Sequence, residues 1–183
     1  MAIVEKARVR ASKGDLARAE QLLTDLNRQI PQTQAYILLG DIYDLKGRPA
    51  DAQKQYESAE ALAHETDGDM HRFALLWADH DTRLDEALKI ATADFQVNKD
   101  IYASDILAWC LFKKGRFDEA KQMITEALRL ESRDARLFYH AGMIEQSLGN
   151  RASARRHLQT ALNINPAFDL AQSEVAKLVL RKL

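Results

Sequence analysis

Residues 33–66 read TQAYILLGDIYDLKGRPADAQKQYESAEALAHET, and this segment sets the pattern for the rest of the chain. Gly47 lies near its middle, and Pro49 follows at a position that the first turn of a helix tolerates. Gly40, Ala52 and Ala59 place small side chains among large ones. Because a small residue lets one helix approach another closely, we expect two packed helices joined by a glycine turn.

These features recur at a nearly constant interval along the 183 residues. Spacings of 33, 34, 34 and 34 positions separate Ala7, Gly40, Ala74, Ala108 and Gly142. Three other series, which start at Gly14, Ala19 and Leu26, give the same period. The glycine series lacks a member at about Asp81-Thr82, and the alanine series places a one-residue insertion in the same turn. The period indicates five units, about 1–32, 33–66, 67–100, 101–134 and 135–166.

Each unit has the apolar pattern of two helices. In the fourth, one helical face is formed by Ser104, Leu107, Ala108 and Leu111, at i, i+3, i+4 and i+7. Lys114-Gly115-Arg116 breaks this run, and a second apolar stripe begins at Phe117. With only 7 glycines and 3 prolines, the composition argues against a many-stranded sheet protein. The sequence therefore predicts an all-α protein of antiparallel helix pairs.

The 34-residue helix–turn–helix unit resembles the tetratricopeptide repeat (TPR). The matching residues of the second unit are Tyr36, Leu39, Gly40, Tyr43, Gly47, Ala52, Tyr56 and Ala59. The fifth unit has Glu145 where the family usually has an aromatic residue, and the third unit matches least. The resemblance implies a right-handed superhelical α-solenoid in which the first helix of each unit lines a concave groove.

One more apolar stripe follows Pro166. Phe168, Ala171 and Val175 share a helical spacing, which predicts a C-terminal capping helix over 167–183, with its helical residues from Ala167 to Lys182. Leu180 lies off this stripe, so self-association through the cap is an alternative use of this end. We therefore expect a single TPR domain over 1–183.

No group of residues has the spacing of a catalytic or metal site. The five histidines form no HExxH or Cys/His ligand pattern, and no glycine-rich phosphate loop occurs. His80, between Asp79 and Asp81, is explained more simply by a turn than by a metal site. Cys110 has no basic neighbour in sequence, which predicts an inert buried thiol. We expect a protein that is not an enzyme and that needs no cofactor or metal.

Charge and hydropathy argue against two other classes of partner. Residues 33–66 carry 3 basic and 6 acidic side chains, and residues 67–100 carry 4 and 8, which disfavours a nucleic-acid groove. No apolar run reaches the roughly 18–20 residues of a membrane span, so we expect no membrane insertion. The first residues lack a signal-peptide pattern, which favours the cytoplasm, although an excised or processed segment would look the same.

The resemblance also implies which side chains line the groove. Positions 2, 5, 9, 12 and 13 of the fourth unit are Tyr102, Asp105, Trp109, Phe112 and Lys113. The other units contribute Arg136, Tyr139, His140 and Met143 from the fifth, His71 and Leu75 from the third, and Ile37 and Asp41 from the second. The implied groove changes from acidic and mixed to aromatic, with a cationic edge at Arg136 and His140.

Helical spacing supports the groove assignment of the fourth unit independently. Residues 102, 105, 109 and 112 lie opposite the packing face of residues 104, 108 and 111. Trp109 and Phe112 are therefore large side chains on a face that need not be core, as in an interface anchor. On this hypothesis Trp109→Ala and Tyr139→Ala remove partner binding and leave the fold intact. The alternative is that neighbouring helices or the cap bury Trp109 and Phe112.

These observations favour a non-catalytic scaffold that binds a peptide or a helix of a partner protein in the concave groove. A structural or oligomerisation module, which self-associates through the cap or groove, is the first alternative. A regulatory segment of a larger assembly is the second.

Overall fold

The computed structural model describes residues 2–65 and 70–183, except for the side chains of residues 64, 65 and 70–72. Its helices are α1 (Ala2–Ser12), α2 (Leu16–Gln29), α3 (Thr33–Leu45), α4 (Pro49–Glu65), α5 (Met70–Asp79), α6 (Leu84–Val97), α7 (Ile101–Lys113), α8 (Phe117–Ala127), α9 (Ala135–Ser147), α10 (Arg151–Ile164) and α11 (Gln172–Lys182). A 3₁₀ turn, Leu128–Leu130, follows α8. No strand occurs in this described part, and the predicted all-α class is confirmed.

The helices belong to two compact units. The N-terminal unit, Met1–Asp69, contains α1–α4, and the C-terminal unit, Met70–Leu183, contains α5–α11. Consecutive helices pack as pairs within each unit: α1 with α2, α3 with α4, α5 with α6, α7 with α8, and α9 with α10. The single TPR domain that the repeat pattern predicts over 1–183 stays a prediction.

A turn with a left-handed residue joins the two helices of every pair. Four of these residues are glycines, with φ between 68° and 82°: Gly14, Gly47, Gly115 and Gly149. In the third pair Asp81, with φ of 54°, takes the same place, because a short polar side chain is tolerated in this region. A second left-handed residue, Arg83, lies in this turn, to which the sequence assigns the insertion.

The hydrogen bonds of these turns explain why they share one geometry. The residue after each left-handed position donates its backbone N–H to the carbonyl five residues earlier, as from Arg48 to Tyr43 and from Arg116 to Leu111, both at 2.9 Å. The turn after α5 makes the same bond, from Thr82 to Trp77 at 2.9 Å. This is the bond of a Schellman C-cap, which satisfies a carbonyl that a helix end would leave unpaired.

Small residues bring the two helices of a pair close together. A Cβ atom added at Gly142 would lie 2.6 Å from Cγ of Leu158 and 3.2 Å from its backbone nitrogen. At Gly40 the added atom would overlap the ring of Tyr56. Ala7, Ala74 and Ala108, the alanines of the same series as Gly40 and Gly142, are fully buried.

The C-terminal helix begins later than the sequence predicts. Residues 166–171 form turns, and α11 starts at Gln172 rather than at Ala167. The Asp169 carboxylate accepts hydrogen bonds from the backbone N–H groups of Ala171 and Gln172, both at 2.9 Å. Because an aspartate that bonds its own following backbone favours a turn over a helix, this residue delays the helix start.

No helix in the described part of the chain combines the length and apolar character of a membrane span.

Candidate functional site

Side chains from the first helices of repeats three to five come together in the C-terminal unit. Asp79 ends α5, Trp109 lies on α7, and Tyr139 and His140 lie on α9. These residues and their neighbours bring aromatic rings, carboxylates and one guanidinium into one region of the unit. We call this group of residues, with Asp105 and Arg136, the polar–aromatic cluster.

Trp109 is the centre of the cluster. Its ring stacks on His140 at a centroid distance of 4.1 Å and on Phe112 at 4.7 Å, and it meets Tyr139 at a tilt at 5.7 Å. The indole N–H donates a 2.8 Å hydrogen bond to Oδ1 of Asp79. Trp109 is only 3% exposed, so its ring and its N–H group already make their contacts within the unit.

A buried pair of titratable residues, His140 and Asp105, packs next to Trp109. His140 Nδ1 lies 2.7 Å from Oδ1 of Asp105, and both residues are buried. Within the described residues, the second ring nitrogen of His140 has no hydrogen-bond partner. Because the imidazole stacks on Trp109 and is held by Asp105, this pair fixes the position of the indole.

Asp79 receives donors from two distant parts of the unit. Besides the Trp109 indole, the side-chain amide of Gln172 donates to Oδ1 of Asp79 at 2.6 Å. Burial raises the pKa of Asp79, and the positive charge of Arg136 opposes that rise. Two N–H donors on one carboxylate oxygen make Asp79 the point at which α5, α7 and the C-terminal segment meet.

Arg136 is the cationic member of the cluster. Burial would by itself lower the pKa of its guanidinium, but the nearby carboxylates of Asp79, Asp169 and Asp105 raise that pKa. Arg136 is half-buried, so its charge acts within the unit and is not fully dissipated in solvent. The sequence predicts a cationic edge at Arg136 and His140, and the structure surrounds that edge with acidic residues.

The C-terminal segment covers the cluster. The ring of Phe168 lies against Tyr139 at a centroid distance of 5.4 Å, and Gln172 reaches Asp79. At the far end of α11, the Arg151 guanidinium donates to the carbonyl oxygens of Lys182 and Leu183, both at 3.1 Å. Neither Phe168 nor Gln172 lies at a predicted groove position, although the turn residues Pro166 and Asp169 signal a break before the helix.

The prediction of an open aromatic groove in this unit is therefore corrected. Trp109, Tyr139, Asp105 and His140 are buried, and Phe112 is half-buried, because neighbouring helices and the C-terminal segment pack on them. Their surroundings agree with the alternative that the sequence leaves open, in which neighbouring helices or the cap bury Trp109 and Phe112. Their role in binding stays a prediction.

The remaining predicted groove residues of this unit differ in exposure. Tyr102 is 53% exposed, while Leu75 and Met143 are half-buried. The ammonium group of Lys113 lies 2.9 Å from the Asp81 carboxylate and 5.4 Å from the centroid of the Trp109 ring. The side chain of His71 lies outside the described residues.

Two predicted groove residues, Ile37 and Asp41, belong to the N-terminal unit. Both lie on α3 and are half-buried. The hydroxyl oxygen of Tyr56 lies 3.0 Å from Oδ1 of Asp41 and 2.9 Å from Oδ2 of Asp44, and its single proton is shared between these two carboxylates, which ties α4 to α3. At Asp41 the structure thus shows a role in the packing of a helix pair.

The C-terminal unit holds one buried thiol, that of Cys110. Burial raises the pKa of the Cys110 thiol to about 12, and its sulfur lies 3.7 Å from the carbonyl oxygen of Ala74. A thiol in this state is a poor nucleophile. Among the described residues, no three His, Cys, Asp or Glu side chains are grouped so that they could hold a metal ion.

Three solved structures are similar to this chain over most of its length. PilW, described as a widely conserved type IV pilus biogenesis factor, has a TM-score of 0.60 and 15% identity over 99% of this chain and 91% of PilW. YrrB, described as a TPR protein with an unusual peptide-binding site, has a TM-score of 0.48 and 21% identity over 97% of this chain and 91% of YrrB. MamA AMB-1 has a TM-score of 0.49 and 19% identity over 90% of this chain and 98% of MamA.

Comparison of the sequence with family profiles identifies a protein family. No curated protein matches the chain. The profile of the tetratricopeptide repeat matches residues 33–65, 104–134 and 135–168, which together make up more than half of the sequence. The matched segments coincide with α3–α4, α7–α8 and α9–α10. The chain belongs to the tetratricopeptide repeat family.

Proposed function

We propose that this chain is a non-catalytic protein-interaction module that binds a peptide or a helix of a partner protein on the surface lined by the first helices of its repeats. Family membership supports this class of function, because repeat arrays present such helices as extended binding surfaces. The observation that carries the proposal is the convergence of Asp79, Trp109 and Tyr139, from three successive first helices, on one cluster. Aromatic side chains beside charged groups are typical of interface hot spots.

The state of the titratable groups supports binding over catalysis. The His140 imidazole is buried and held by Asp105, so it faces no accessible substrate position. The Cys110 thiol is kept protonated by a pKa of about 12. A general base or a nucleophile needs a reachable reacting atom and a suitable protonation state, and neither group has both.

Self-association is the second candidate, and one surface favours it. Val175 and Leu178 of α11 are 38% and 45% exposed, and they form an apolar face at the end of the C-terminal unit. A second copy could bury this face. The partner would then be the chain itself.

Affinity capture from a lysate of the source organism tests the leading proposal. The native chain, Tyr102→Ala and Leu130→Ala are immobilised, since both residues are exposed and only Tyr102 lies at a groove position. We expect one protein to be retained by the native chain and by Leu130→Ala and to be reduced about fivefold or more by Tyr102→Ala, as loss of an interface aromatic costs about 1 kcal/mol or more. Equal retention by all three chains would contradict groove binding.

Sedimentation equilibrium separates the two candidates. If the chain acts by self-association, its mass rises with concentration, and Leu178→Glu returns it to the monomer. A mass that stays monomeric over the concentration range removes this second candidate and leaves the capture result to stand alone.

A further inference from the structure

We infer that residues 168–172 occupy the recognition surface of the C-terminal unit in cis, and that the partner this surface fits is a helix whose first turn presents an aromatic ring, a carboxylate and a side-chain amide in the same order. The inference rests on the proposed function, since it identifies the chemistry of the ligand for that surface. Phe168, Asp169 and Gln172 supply these three groups in the present structure.

The contacts of this segment are those of a docked ligand rather than of a helix in a repeat. Gln172 and Asp79 are separated by 93 positions in sequence, yet their side chains form a 2.6 Å hydrogen bond. Phe168 contacts the ring of Tyr139 from a stretch of turns that belongs to no helix pair. The segment thus contacts both α9 and the end of α5.

Each of the three groups meets a different side chain of the cluster. The Phe168 ring meets an aromatic surface at Tyr139, and the Gln172 amide meets a carboxylate at Asp79. The Asp169 carboxylate adds negative charge near Arg136, and it also accepts the backbone N–H groups that open α11. A partner helix with an acidic residue at its start would satisfy its own N-terminus and Arg136 in the same way.

The hydrogen bond between Gln172 and Asp79 satisfies only part of the Gln172 side chain. The side-chain oxygen of Gln172 is buried and, within the described residues, has no hydrogen-bond partner. A buried acceptor without a donor weakens the bound state relative to a ligand that avoids it. A partner whose side-chain amide also places its oxygen against a donor would keep the bond to Asp79 and pair that oxygen.

The test measures whether a synthetic peptide of residues 165–183, labelled with fluorescein, binds to the full chain. The opened variant carries Phe168→Ala and Gln172→Ala, which remove both side-chain contacts of the segment with the cluster. The control variant carries Val175→Ala and Leu178→Ala, because these side chains are exposed on the same helix. We expect the peptide to bind the opened variant at least tenfold more tightly than the native chain or the control variant.

A second variant keeps the test decisive if the opened variant does not fold cooperatively. Gln172→Glu leaves Phe168 in place and sets a carboxylate against Asp79, so charge repulsion should release the segment at neutral pH. A peptide in which Phe168 and Gln172 are replaced by alanine should bind none of the chains. Peptide binding that is equal for native and released chains, or absent from every folded released chain, would overturn the inference.

The peptide and capture experiments together distinguish failure of this inference from failure of the proposed function. If the captured partner depends on Tyr102 but is retained equally by native and opened chains, the groove binds and the segment does not cover it. If the opened chain captures the partner more strongly and the partner is displaced by the peptide, both proposals stand. Dimers that form only in the opened variant and dissociate on addition of the peptide also support the inference, because one copy's segment then fills the other's surface.

Discussion

Trp109 shows how one side chain in a repeat protein can serve both the fold and a recognition surface. Its ring packs between Phe112 and His140, while its N–H is directed to Asp79, the residue that also receives Gln172. The indole therefore joins the interior of the unit to the surface that the C-terminal segment covers. A change at this position alters stability and recognition together.

The first prediction concerns Trp109. Trp109→Ala should lower the free energy of unfolding by about 3–5 kcal/mol, the range for loss of a buried aromatic side chain. Trp109→Phe keeps a stacked ring but removes one donor from Asp79, and should cost about 1–3 kcal/mol. Urea unfolding monitored by circular dichroism gives both values.

Tyr102→Ala is the matched control, because Tyr102 is an exposed aromatic residue on the same helix. Its unfolding free energy should stay within about 0.5 kcal/mol of the native value. A Trp109→Ala variant as stable as Tyr102→Ala would contradict the burial described above and would restore the open groove predicted from sequence.

The sequence predicts which residues of the site share a helix face, but not whether that face is open. Positions 105 and 109 follow from helical spacing and the family pattern, and the structure places both in the cluster. Their burial involves Tyr139 and His140, about 30 residues away in sequence, and the cover over Tyr139 and Asp79 comes from Phe168 and Gln172, some 30 to 90 residues from the side chains they contact. Periodicity carries no information about such distant contacts.

At the scale of elements, the turn between two helices is the most regular part of the repeat. Asp81 adopts the left-handed conformation that glycine adopts in the other four turns, and the same backbone hydrogen bond follows it. The repeat thus retains its geometry without its usual residue. The absence of glycine at 81 is visible in the sequence, whereas the conservation of the turn geometry is not.

The second prediction compares Asp81→Ala with Asp81→Gly. Both variants lose the exposed ion pair with Lys113, which is worth about 0–1 kcal/mol, so their difference isolates the backbone. Alanine in the left-handed region should be less stable than glycine by about 1–2 kcal/mol. Chemical denaturation of the two variants side by side measures this difference. Equal stabilities would mean that the turn changes its conformation on substitution.

The third prediction concerns the helix pair α9–α10. Gly142→Ala should destabilise the chain by about 1–3 kcal/mol, because the added methyl group overlaps the buried side chain of Leu158. In Leu158→Ala the obstructing side chain is absent, so adding Gly142→Ala to that background should cost far less. The double-mutant cycle would then give a favourable coupling between the two sites. Additive effects would show that the helices separate without regard to Leu158.

At the scale of the whole molecule, the repeat pattern predicts the succession of helix pairs, and the contacts of the folded chain show how the helices group. Helix bounds follow from local signals such as Pro49 and the glycine turns, which act within a few residues. The division into two compact units depends on contacts between helices, and the start of α11 depends on hydrogen bonds of Asp169. The first kind of feature is readable from one sequence, whereas the second depends on the folded chain.

The fourth prediction concerns the pH dependence of stability. Because burial raises the pKa of Asp79 in the folded chain above its ordinary value of 3.8, the folded state binds the proton more tightly than the unfolded state does. The contribution of Asp79 to stability is therefore fully present below the unfolded pKa and is lost as pH rises through the folded pKa. Asp79→Asn keeps an oxygen that can accept from Trp109 and Gln172 but cannot ionise.

The stability of Asp79→Asn relative to the native chain should therefore increase as pH rises above about 4, the ordinary range of an aspartate. Thermal unfolding of both chains at a series of pH values measures the difference, in which the titration of all other groups largely cancels. Glu119→Gln is a suitable control, since the Arg116 guanidinium lowers the pKa of Glu119 and its pH dependence has the opposite sign. A constant difference between native and Asp79→Asn chains would mean that Arg136 fully offsets the burial of Asp79, and that the surface holds a charged carboxylate at no cost in stability.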